Sequence, residues 1–80
     1  MRHLGQDSDA LESDLLDAHA ANDRKRLVSL YKLAADRAEG VGEADAAAFF
    51  LTFAYVYALE TGAADTPILQ ARLRDLGREE

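Results

Sequence analysis

Apolar positions along the chain recur mostly at intervals of three and four, which is the signature of helices that bury one face. Leu11, Leu15 and Ala18 form a first stripe, with Leu16 and Ala20 beside it. Leu27, Leu30, Tyr31, Ala34, Ala38 and Val41 form a second, clearer one. The third segment departs from the pattern: residues 46–59 are apolar almost all round, interrupted only by Thr52. Such a helix is expected at the centre, contacted on several sides. Phe50, Phe53 and Tyr57 would line one face of it, and Ala47, Leu51, Ala54 and Ala58 another. Leu69, Leu73 and Leu76 make the last stripe, flanked by Ile68.

The residues that break helices fall between these stripes. Asp7 or Ser8 can cap the first helix, and Asn22 or Asp23 ends it and caps the next. Gly40 or Gly42 supplies a C-cap, since a left-handed backbone costs glycine little. Thr66 is a natural N-cap with Pro67 in the first turn, and Gly77 stops the chain's last helix. The expected helices are 8–21, 23–39, 43–61 and 66–76, with an extended or disordered tail at 1–6 and a frayed one at 78–80. Connections this short join antiparallel neighbours. The expected fold is therefore all-α: an antiparallel array of four helices in two αα-hairpins.

Composition supports that class. Val28, Val41, Val56, Ile68 and three threonines are the whole β-branched set, while alanine and leucine dominate. At 80 residues without a cysteine, the domain has no disulfide or thiolate–metal staple, so its stability must come from helix packing or from association. The absence of cysteine fits a reducing compartment. The formal net charge of −6 argues against nucleic acid and against anionic membrane surfaces. The apolar run 46–59 is shorter than the roughly 20 residues a membrane helix needs. The N-terminus lacks the apolar run of a signal peptide, and a cytoplasmic protein is expected.

Candidate chemistry is sparse. His19 and Asp23 lie one helical turn apart, with His3 near the N-terminus. A catalytic zinc needs three protein ligands, and no second histidine stands at helical spacing. Glu43 with Asp45, or Glu60 with Asp65, would be an acid–base pair only in a pocket that separates their pKa values; Glu43 and Asp45, at a helix start, are more simply dipole partners. Ser8, Ser13 and Ser29 have no nucleophile elbow around them, and there is no glycine-rich phosphate loop. Arg24-Lys25-Arg26 is the only basic run, either a contact for an acidic partner or a solvated turn. No enzyme, metal or cofactor is expected.

Sliding the chain by 42 positions superposes the hairpins, placing Leu11 on Phe53, Leu15 on Tyr57, Asp23 on Asp65 and Leu27 on Leu69. The segment Leu27-Val28-Ser29-Leu30-Tyr31-Lys32-Leu33-Ala34-Ala35 through Gly40 resembles the second helix of a long-period tetratricopeptide repeat. Glu43–Ala47 and Ala54–Gly62 are similar to the first helix of a following repeat. The resemblance spans about residues 8–77, with a period near 42 where 34 is common. It implies a scaffold that binds a protein or peptide on a helix-lined surface.

The expected binding patch is the side of the third helix that four helices would leave uncovered: Phe49, Thr52, Tyr55 and Val56. An uncovered apolar patch marks a partner or self-association surface. A protein-interaction module is thus the first reading. A homodimer closed through the same patch is the second, and a small-ligand-binding helical bundle the third.

Overall fold

A computed structural model describes the backbone of residues 2–77 and the side chains of residues 10–77. The chain forms four helices and, among the described residues, no strand: α1 (Arg2–Ala20), α2 (Arg24–Gly40), α3 (Ala44–Thr61) and α4 (Thr66–Asp75). The all-α hairpin architecture is the one the hydrophobic pattern predicts. Helix α1 begins at Arg2, so residues 2–6, expected as a tail, are helical and the cap expected at Asp7 or Ser8 lies inside the helix. The expected tail at 78–80 lies outside the described residues.

Three helix ends are built alike. After α1, Asn22 takes a left-handed backbone (φ 56°), as Gly42 does after α2 (φ 78°) and Gly62 after α3 (φ 69°). In each case the following amide reaches back five residues: Asp23 N–H to the Ala18 carbonyl at 2.9 Å, Glu43 N–H to Ala38 at 2.9 Å, and Ala63 N–H to Ala58 at 3.0 Å. This is the Schellman closure, which satisfies carbonyls the helix would otherwise leave open. The three accepting alanines stand twenty residues apart and are all buried, because a turn this tight brings the next helix directly over them. The turn after α3 is longer, and Thr66, expected as an N-cap, instead donates its hydroxyl to the Ala63 carbonyl at 2.7 Å, leaving Asp65 at the cap position. The C-terminal caps of α1 and α3 therefore repeat at 40 residues, and the N-caps Asp23 and Asp65 at 42.

Packing follows the chain order: α1 on α2, α2 on α3, α3 on α4. The array is a thin slab of 41 × 31 × 15 Å that does not close on itself. Its core joins Val28 and Ala35 of α2, Leu51, Ala54 and Ala58 of α3, and Leu69 and Leu73 of α4. Helix α2 thus buries two stripes. Leu27, Ala34 and Ala38 lie on the predicted one, whereas Val28 and Ala35 face α3 and α4. Val41, expected to be buried, is the exposed cap residue of α2.

A set of ion pairs ties α2 to the other elements. Arg24 meets Glu60 of α3 at 3.0 Å, Arg26 meets Asp14 of α1 at 3.3 Å, and Lys32 meets Asp65 at 3.5 Å. Arg72 of α4 bridges Asp36 and Glu39 at 2.8 and 3.2 Å. The Arg24-Lys25-Arg26 run therefore supplies two inter-helix pairs. Their exposed setting limits each to about 0–1 kcal/mol.

Candidate functional site

Helices α1 and α3 both lean on α2 without their backbones meeting. The space between them is an open groove of about 570 Å³. Ala34 and Ala38 of α2, both buried, form its floor; their short side chains are what give it depth. Leu11 and Leu15 line the α1 wall, and Phe49, Phe50 and Phe53 the α3 wall. Tyr31 rises from the floor between the walls. Glu12, Arg37 and Glu43 stand among the lining residues as the charged groups of the rim.

The same geometry on the other side of the slab gives a different result. There α4 packs on α3, Leu69 and Leu73 join the core cluster that holds Val28 and Ala35 of α2, and Arg72 pairs with Asp36 and Glu39 of α2. The α1 side has no equivalent closure. Its aromatic side chains instead pack on one another along the groove. Tyr31 stacks on Phe53 with ring centroids 5.1 Å apart, and Phe53 meets Phe49 edge-on at 5.0 Å. Tyr57 lies parallel to Tyr31 at 6.1 Å, and His19 closes the row edge-on to both tyrosines. Contacts of this kind contribute roughly 0.5–1.5 kcal/mol beyond area burial.

Mutual stacking does not bury the row. Phe49 remains 58% exposed and Phe53 36%. Along the outer side of α3, Val56 at 43% and Leu59 at 55% continue the exposed apolar surface. Full burial of one such side chain is worth about 1.5–3 kcal/mol, so this is a surface whose coverage would be strongly favoured. As expected of a central helix, α3 is contacted on more than one side, by α2 and by α4. Among the described residues, only α2 and α4 pack on its backbone, and its outer half stays exposed at Phe49, Val56 and Leu59.

The expected patch divides in the structure. Phe49, Thr52 and Val56 share the exposed outer stripe. The Thr52 hydroxyl donates to the Ala48 carbonyl at 2.8 Å, so its one polar hydrogen is already used within the helix. Tyr55 faces the other way, half-buried against the core cluster that includes Leu51 and Leu69. The groove residues Tyr31, Phe50 and Phe53 were legible only as parts of buried stripes. The signal that would have separated them is the narrow stripe of α1, which is too slender to cover both α2 and α3.

The polar candidates are otherwise occupied. Nε2 of His19 lies 2.9 Å from the Tyr31 hydroxyl, while Asp23, its expected companion, accepts from the Arg26 amide at 3.2 Å as the cap of α2. Glu60 and Asp65 are held apart by separate ion pairs with Arg24 and Lys32. Ser13 and Ser29 are exposed, and the side chains of His3 and Ser8 lie outside the described residues. Among the described residues, no three of His, Cys, Asp and Glu cluster as a metal site. Tyr31 has a phenol raised above its ordinary range, first by burial and then by the neighbouring Tyr57. What this arrangement offers is apolar and aromatic area with a charged rim.

The chain matches no protein-family model, no curated protein and no solved structure. No described helix is long and apolar enough to cross a membrane.

Proposed function

We propose that this chain is a non-enzymatic protein-interaction or scaffold module that seats a protein or peptide segment in the groove between α1 and α3. The outer stripe of Phe49, Thr52 and Val56 would extend that contact. The observation that supports this reading is the uncovered aromatic wall of α3 facing an alanine-floored groove. The tetratricopeptide-like pattern of Leu27–Gly40 and Glu43–Gly62 agrees with it, since such a family is expected to bind partners on helix-lined surfaces. The reading assumes a cytoplasmic protein, which fractionation of cells carrying a tagged copy would check.

Phe49→Glu is the informative substitution, because Phe49 is well exposed and its loss leaves the core intact. Tyr55→Glu would report on folding instead, since Tyr55 packs against the core. A tagged pull-down should retain a partner with the wild type and lose it with Phe49→Glu at unchanged helicity. Equal retention by both proteins would reject the groove and the α3 stripe as the binding surface.

The exposed Phe49, Val56 and Leu59 on one half of α3 favour one second reading, a homodimer closed through that face. A twofold contact would make the patch self-complementary. Sedimentation at tens of micromolar separates the two: a monomer rejects the tight dimer.

A further inference from the structure

The rim of the groove carries an electrostatic bias, and that bias comes from how the protein spends its cations. Arg24, Arg26, Lys32 and Arg72 are each drawn into pairs between helices, and all of these pairs involve α2. Arg37, the one cation lining the groove among the described residues, already has an interaction of its own. Glu12 on the α1 side and Glu43 at the start of α3 have no ion pair among the described residues. The acidic excess of the whole chain, −6, adds a field of the same sign. An apolar trough between two free carboxylates is complementary to an apolar stripe flanked by cations.

The shape narrows the occupant further. The groove lies between two helices over a third and is open to one side. An amphipathic helix laid into such a trough inserts anchors at i, i+3, i+4 and i+7. Resting on the proposal that the groove binds a protein segment, we infer that its occupant is a basic amphipathic helix, whose apolar stripe meets Tyr31, Phe49 and Phe53 and whose flanking Lys or Arg residues meet Glu12 and Glu43. Electrostatic matching of this kind sets specificity and association rate more than raw affinity.

Two designed peptides test it. Both carry the same Leu/Ile stripe at helical spacing; one is flanked by Lys and Arg, the other by Glu. Binding is followed by fluorescence anisotropy, and the site by amide chemical shifts of the full chain. The basic peptide should bind at least about tenfold more tightly at low salt, a difference of roughly 1.4 kcal/mol, with shifts at Tyr31, Ala34 and Phe53. The preference should collapse in high salt, where screening shortens to about 3 Å at 1 M. Glu12→Gln with Glu43→Gln, both surface changes, should bring the two peptides within about twofold.

Equal binding of both peptides in the groove would overturn the charge inference and leave the groove reading standing. Shifts elsewhere, or no binding by either peptide, would overturn both. A second copy of the chain occupying the groove, seen as concentration-dependent shifts at the same residues, would replace the basic helix as occupant.

Discussion

The Tyr31 hydroxyl and Nε2 of His19 meet at 2.9 Å, and this bond ties the groove-facing edge of α1 to the floor of the groove. Either the phenol donates to the ring nitrogen or the ring N–H donates to the phenol oxygen, according to the tautomer. Around it, α1 is held by the Arg26–Asp14 pair, by the ring contact of His19 with Tyr57, and by the burial of Ala18. Tyr31→Phe should therefore cost about 0.5–1.5 kcal/mol, read as a shift in urea midpoint.

The raised pKa of Tyr31 makes the same substitution a pH probe. Burial favours the neutral phenol in the folded protein, so the folded state holds this proton more tightly than the unfolded one. The stabilisation is fully present below the unfolded value of about 10 and is lost as pH rises from there through the folded value. Stability measured between pH 9 and 11.5 should fall more steeply in the wild type than in Tyr31→Phe. Parallel slopes would show that other groups dominate alkaline unfolding.

The left-handed helix ends give a contrast between positions. A Cβ added at Gly42 or Gly62 meets nothing within 4 Å, so the cost of alanine there is purely conformational. Gly42→Ala should lose about 1–2 kcal/mol. Asn22→Gly should lose nothing, since asparagine already occupies a backbone region that glycine adopts freely. Thermal melts of the two single variants decide the matter.

The open array predicts uneven protection of backbone amides. Among the described residues, the backbone of α1 meets that of α2 alone, whereas α2 and α3 share the core with α4. Hydrogen exchange should be fastest in α1 and slowest around Leu51 and Ala54. Equal protection of α1 and α3 would mean that α1 is held by more than its packing on α2.

Core and groove should also respond differently to truncation. Leu69 is fully buried, and Leu69→Ala should cost about 2–5 kcal/mol. A domain of this size has roughly 4–12 kcal/mol in all, at ~0.05–0.15 kcal/mol per residue, so that variant stands near unfolding. Leu16, 70% exposed, should tolerate alanine within about 0.5 kcal/mol. Chemical denaturation of both variants provides the comparison.

Local patterning determined the number of helices, turns near Asn22 or Asp23 and near Gly40 or Gly42, and the buried face of α3 at Ala47, Leu51, Ala54 and Ala58. Each follows from interactions within a few residues: a stripe repeats every turn, and a left-handed cap needs glycine or asparagine wherever it falls. It also pointed to an uncovered side of α3 at Phe49, Thr52, Tyr55 and Val56, of which Tyr55 packs on the core instead. Which way each apolar stripe faced was settled only in three dimensions. Tyr31, Phe50 and Phe53 sit at the same helical spacing as true core residues, and their exposure depends on whether a further helix lies over them. Tyr55 differs from Val56 by one position and about 100° of rotation, yet α4 covers the first and leaves the second open. Periodicity records that a residue belongs on an apolar face; the tertiary arrangement alone decides whether that face is filled by the chain itself or left for something else to fill.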